Sequence, residues 1–246
     1  FDATRFKVDE YKLTVGKPAP IAVPAPQGPA PKLEQTESEI IVTGERFRIV
    51  FSRFKGLISD GAYDGKTVII DGPFIDLLGS GLAYAEWWCD NISARIEGNE
   101  AVVEIAGNYA IFKAHFEVRI DGTGLIATHY TIDFIPGDPP PPTFSPWDAT
   151  SVGGYSEVGV SYVLPSAVEQ LSWSRKGLWS VYPEGHLGRN LGWAENGTDD
   201  FRATKENIYS AVARVAGGSA MLTAISDGTG SVRMSETGSL RSQAVG

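Results

Sequence analysis

The densest run of side chains suited to recognition chemistry lies between Trp173 and Arg189, where Trp173, Arg175, Trp179, Tyr182, His186 and Arg189 fall in one short window. Sugars present apolar C–H faces that stack on aromatic rings, and hydroxyls that need oriented donors and acceptors. Aromatics interleaved with Arg and His therefore suit a carbohydrate. The same residue types also serve a core or an interdomain contact, with the arginines paired at its rim. Adjacent Trp87 and Trp88 add a second aromatic feature. On a strand they point to opposite sheet faces, so one can be core while the other meets a ligand or a partner domain.

Catalytic groups are harder to assemble. A glycosidase needs an acid and a base or nucleophile across one glycosidic bond, yet Glu86, Glu104, Glu117, Asp133, Glu157 and Glu184 are scattered over strand-like runs and cannot be paired from spacing. An aldose epimerase needs a general acid and a general base, typically His and Glu. His115 and His129 lie in alternating stretches and His186 in the aromatic window. No two histidines, nor a histidine and Cys89, share ligand spacing, so no metal is expected. Gly79-Ser80-Gly81 precedes no Lys-Ser or Lys-Thr, so no nucleotide or other cofactor is expected either. Asn91-Ile92-Ser93 and Asn196-Gly197-Thr198 match the glycosylation pattern, which matters only in a secretory eukaryotic host. No catalytic residue is assigned to this chain.

The elements that must position these residues read as strands. Residues 40–42, 47–51, 67–70, 101–105, 114–120, 125–134 and 158–165 are rich in β-formers, with period-two alternation dominant. Ser59-Asp60-Gly61, Asp64-Gly65-Lys66, Glu97-Gly98-Asn99, Asp121-Gly122-Thr123-Gly124 and Asp227-Gly228-Thr229-Gly230 read as hairpin turns. Apart from a short helical turn around Leu82 to Trp88, helical periodicity is absent. The expected fold class is all-β, with two large packed antiparallel sheets. Residues 1–16 read as an N-terminal strand left over from a preceding domain or strapped onto the sandwich. Residues 17–38 read as a proline-rich linker, extended and packed along a surface, and 39–246 as the β domain. The Asp138–Pro142 stretch reads as part of a long covering strap.

With 246 residues and 42% hydrophobic residues, the chain can build a core without a disulfide or a structural metal. Its net charge of −9 argues against nucleic acid, whose affinity comes from Lys and Arg releasing counterions. No run approaches the roughly 20 apolar residues of a membrane helix, so neither nucleic acid nor membrane is an expected partner. The opening Phe1-Asp2-Ala3 reads as a processed product or an excised piece. The single Cys89 leaves the compartment open, and a bacterial periplasmic or secreted location is slightly favoured.

The window from Leu164 to Arg189 carries a family likeness. Leu164-Pro165, Val168-Glu169-Gln170, Trp173, Arg175, Lys176, Gly177, Trp179, Tyr182, Pro183 and Gly188-Arg189, together with Phe47–Ser59 followed by Asp64-Gly65-Lys66, resemble the C-terminal β-sandwich of family 2 β-galactosidases. The resemblance implies the supersandwich shared with galactose mutarotases and polysaccharide lyases. It also implies catalytic carboxylates on a separate barrel domain of the same parent polypeptide, with this domain packing on that barrel. Under it, Trp173, Arg175, Trp179, Tyr182, His186 and Arg189 would serve carbohydrate recognition or the interdomain contact. An autonomous carbohydrate-binding module and, less favoured, a mutarotase-type epimerase are the alternatives.

Overall fold

The computed structural model describes residues 25–78, 87–109, 112–135, 157–176, 191–198, 201, 205–215, 220–234 and 239–243. They are nearly all strand, and no helix element lies among them. The chain is an all-β protein of antiparallel sheets. It divides into two compact units, one spanning Ala25–Val163 and one formed from Leu164 onward. The expected helical turn at Leu82, the Asp138–Pro142 strap, the strand within residues 1–16, and Gly79-Ser80-Gly81 lie outside the described residues.

In the first unit, one sheet runs in the order β1 (Lys32–Gln35), β2 (Glu39–Thr43), β3 (Phe47–Ser52), β4 (Leu57–Tyr63), β6 (Asp71–Leu78) and β11 (Glu157–Val163), with β5 (Lys66–Ile69) paired to β4. The second sheet runs β10 (Ile126–Phe134), β9 (Phe112–Asp121), β8 (Glu100–Asn108) and β7 (Trp88–Glu97). Alternation fixes which face is core. Along β9, Phe112, Ala114, Phe116, Val118 and Ile120 are buried, while Lys113 and His115 between them are exposed. With Ile40, Val42, Phe51, Ile58, Val103 and Ile105 also buried, each large side chain contributes about 1.5–3 kcal/mol through area removed from water.

Three of the expected turns are turns. Asp64 and Gly65, with φ of 49° and 72°, form the two-residue loop between β4 and β5. Gly98-Asn99 joins β7 to β8, with Gly98 at φ 59°, and Gly122–Leu125 joins β9 to β10. Two others are not turns. Ser59-Asp60-Gly61 lies inside β4, where Val50 pairs with Asp60 and Phe51 with Ile58, leaving Ser59 as the extra residue of a β-bulge. Gly61 is there for closeness, since a Cβ on it would lie 3.1 Å from the Cβ of Ile69.

The proline-rich stretch differs from a free linker at its end. Once the prolines stop at Pro31, residues 32–35 regain their N–H donors and pair with β2 as a strand. Just before it, the chain is tied to the β9–β10 turn: Gln27 N–H donates to Asp121 Oδ2 at 2.8 Å, and Gly122 N–H donates to the Gln27 carbonyl at 3.0 Å.

In the second unit the sheet order is β16 (Ser239–Gln243), β15 (Ala220–Met234), β14 (Lys205–Val215), β12 (Val168–Arg175) and β13 (Leu191–Glu195). The expected turn at Asp227–Gly230 lies within β15. Ile208 of β14 pairs with Gly230 and Ser210 with Ile225, so four residues of β15 stand opposite Tyr209 alone. The glycines make a large bulge in one long strand.

Candidate functional site

A cleft of about 630 Å³ opens in the first unit, lined by Arg53, Phe54, Lys55, Leu57, Asp71, Phe74, Trp87, Trp88 and Cys89. Its volume falls in the usual range for small-ligand sites. Leu57 and Phe74 are buried and make the apolar lining, while Phe54 and Trp88 are 91% and 72% exposed. Three stretches far apart in sequence build it: the turn Arg53–Gly56 between β3 and β4 with Leu57 after it, Asp71 and Phe74 of β6, and the entry to β7 at Trp87–Cys89.

The turn is held from several sides. Gly56 N–H donates to the Ser52 carbonyl at 2.8 Å, and Lys55 N–H to Ser52 Oγ at 3.3 Å. Gly56 has φ +66°, and a Cβ there would run into the Cys89 side chain, so only glycine lets the turn lie against β7. Trp87 Nε1–H donates to the Lys55 carbonyl at 2.7 Å. Its indole packs on Tyr109 (centroids 5.1 Å apart) and edge-on to Phe116 (5.8 Å). Tyr109 in turn stacks on Phe112 at 4.7 Å, and its hydroxyl accepts the N–H of Ile75 at 3.0 Å. Only Trp88 belongs to β7, with Trp87 just ahead of it; Trp87 is bonded inward and Trp88 faces water.

Charge in the cleft is arranged with equal economy. Arg53 donates from Nε to the Thr36 carbonyl at 2.8 Å, from Nη2 to Gln35 Oε1 at 2.7 Å and from Nη1 to the Ile92 carbonyl at 3.4 Å. All three acceptors are neutral. Lys55 Nζ stands 3.8 Å from Asp71 Oδ2, a loose ion pair longer than a hydrogen bond. Cys89 is a free thiol; burial pushes its pKa up and the Asp90 charge adds to this, against a backbone hydrogen bond from Asn91. At pH 7.5 iodoacetamide is expected to alkylate Cys89 at least tenfold more slowly than free cysteine, because the thiolate is the nucleophile. Labelling at the free-cysteine rate, followed by mass spectrometry, would contradict that placement.

The sequence-derived window fares differently. Trp179, Tyr182, His186 and Arg189 lie outside the described residues. Trp173 is 4% exposed: its ring fills the space above Gly192, where any Cβ would overlap it, and lies 5.1 Å from the fully buried Lys205 Nζ. Lys205 also donates to the Phe201 carbonyl at 3.0 Å. A ring enclosed in this way packs as a core side chain, the second of the two uses the sequence offered for it. Arg175, at the end of β12, is half-buried.

Among the carboxylates, Glu86 and Glu184 lie outside the described residues. On the outer face of the second sheet, Arg119 donates to Glu117 at 2.7 Å, Glu97 at 3.1 Å and Glu100 at 3.3 Å, and Arg95 pairs with Glu97 and Glu104. Hydrogen bonds from these arginines hold Glu97 and Glu117 below the ordinary carboxylate range. His115 and His129 are exposed on the same sheet, away from the cleft lining. Among the described residues, no group of three His, Cys, Asp or Glu side chains could hold a metal ion.

Sequence reasoning reached Trp87 and Trp88 but missed Arg53, Phe54, Lys55 and Asp71. A Phe between two cations in a Ser-Arg-Phe-Lys-Gly turn is the local signal that points to them. Comparison with protein-family models finds no match, and comparison with curated proteins finds none either.

Proposed function

We propose that this chain is a non-catalytic β domain of a glycoside hydrolase resembling family 2 β-galactosidases, which packs on the catalytic barrel of its parent polypeptide and contributes a carbohydrate-binding surface. The supersandwich shared with galactose mutarotases is the fold this reading expects. The observation that carries it is the exposed indole of Trp88 beside Phe54 at the rim of a cleft with an apolar lining, since a pyranose ring stacks on such a surface. The same exposure favours the alternative of an autonomous carbohydrate-binding module, which would bind sugar without the barrel.

Tryptophan fluorescence of the 246-residue chain, titrated with galactose, galactosides and plant-polysaccharide oligomers, tests both. The expected result is saturable binding at millimolar affinity, about −4 kcal/mol, weakened at least tenfold in Trp88→Ala. Loss of the response in that variant with unchanged circular dichroism assigns the ring to binding. No response to any sugar would remove the binding role and leave only the contact with the barrel.

A further inference from the structure

From the charges around the cleft we infer that its ligand is an acidic sugar, a hexuronic acid residue of a glycan, with its carboxylate at Lys55 and its ring on Trp88. The inference rests on the carbohydrate reading above and names the substrate class within it. Among the described lining residues, Arg53 and Lys55 are the cations and Asp71 the carboxylate, in a chain whose net charge is −9. A local excess of cation in a protein so acidic overall selects for an anion at that point.

The state of each charge sharpens this. The guanidinium of Arg53 is fixed by carbonyl and amide oxygens alone, and among the described residues no carboxylate pairs with it. Its charge is thus held rigidly beside the cleft and not neutralised, and two of its five N–H donors remain. Lys55 is the complementary case. Its ammonium is half-exposed and 3.8 Å from Asp71, so exchanging that partner for a ligand carboxylate costs little. The Lys55 backbone is pinned by Trp87 Nε1, so the side chain swings from a fixed root. A pyranose carrying a carboxylate at C6 matches this pairing: an apolar face for Trp88 and an anion at the ring's edge for Lys55. A neutral hexose uses the first feature and leaves the second unanswered.

Galactose and galacturonic acid differ only at C6, hydroxymethyl against carboxylate, and make the test direct. Both are titrated into the full chain at about 20 mM and about 500 mM salt, alongside the methyl ester of galacturonic acid. Galacturonic acid is expected to bind about tenfold more tightly than galactose at low salt, as for one charge-assisted contact. The advantage should shrink severalfold at high salt, where charges are screened over a few ångströms, and the ester should behave like galactose. Lys55→Gln should bring the ratio of the two affinities to about one. Trp88→Ala should weaken both sugars. Equal affinity for galactose and galacturonic acid, or a preference untouched by Lys55→Gln, would overturn the acidic-sugar assignment while the carbohydrate reading stands. Binding of neither sugar would overturn both.

Discussion

Asp121→Ala is expected to cost the first unit about 3 kcal/mol, because one buried carboxylate organises an entire turn. Asp121 is 1% exposed. Its Oδ1 accepts the N–H of Thr123 at 2.8 Å, the hydroxyl of Thr123 at 2.7 Å and the N–H of Leu125 at 3.0 Å, while Oδ2 accepts the N–H of Gln27 at 2.8 Å. Alanine leaves three backbone donors without that acceptor and removes one of the two hydrogen bonds that tie Gln27 to the β9–β10 turn. With a urea slope of about 2 kcal/mol per molar, the midpoint of the first unit's transition should fall by about 1.5 M.

The acid dependence has a defined sign. Burial raises the Asp121 pKa, but the hydrogen bonds from Gln27, Thr123 and Leu125 outweigh it, and the net shift is downward. A group depressed on folding stabilises fully above its unfolded value, near 4, and loses that contribution as pH falls through the lower folded value. The stability gap between wild type and Asp121→Ala should therefore be constant above about pH 5 and close progressively below pH 4. A gap under about 0.5 kcal/mol at pH 7, within the range of ordinary surface substitutions, or one that persists unchanged to pH 2, would contradict the role given to this carboxylate.

Gly107→Ala should deform the cleft and destabilise the first unit by about 2–3 kcal/mol. Gly107 sits in β8 opposite Cys89. A Cβ there would overlap the backbone carbonyl oxygen of Trp88 and the outer ring of Trp87. The carbonyl belongs to the paired strand and cannot rotate aside, and Trp87 is wedged against Tyr109 and Phe116. Relief must come from moving the start of β7, which breaks the Trp87–Lys55 hydrogen bond and shifts Trp88 relative to Phe54. The expected signature is a weakened near-ultraviolet circular dichroism spectrum, a red-shifted tryptophan emission and loss of the sugar response. A variant that keeps the wild-type spectrum and stability would show that the strand entry yields more easily than close packing allows.

Much of the fold was legible because its signals are local. The alternation of Phe112, Ala114, Phe116, Val118 and Ile120 with polar neighbours states a half-buried strand at every second residue, and Asp64-Gly65 and Gly98 supply the positive φ that tight hairpins require. Trp87 stands just before β7 and Trp88 opens it, so their opposite fates follow from the path of the strand entry and not from the period of two. The bulges at Ser59 and at Asp227–Gly230 were not legible. Gly, Asp and Ser are the residues of turns, and whether the chain reverses there or carries on with an extra residue depends on the register of the strand beside it.

The candidate site shows the same division more sharply. Residue types alone left Trp173 open between a stacking ring and a core or interdomain one, because a buried and an exposed indole read identically in one dimension, and Gly192 and Lys205 enclose this one. Arg53–Lys55, Asp71 and Trp87–Cys89 occupy three separate stretches of chain. Composition and alternation determined that this chain would be a β protein with an acidic surface and aromatic rings to spare. Which rings face water, and which charges stand beside them, was decided by packing between the sheets of the first unit and within the sheet of the second, since burial depends on neighbours distant in sequence and the order of residues along the chain does not record those distances.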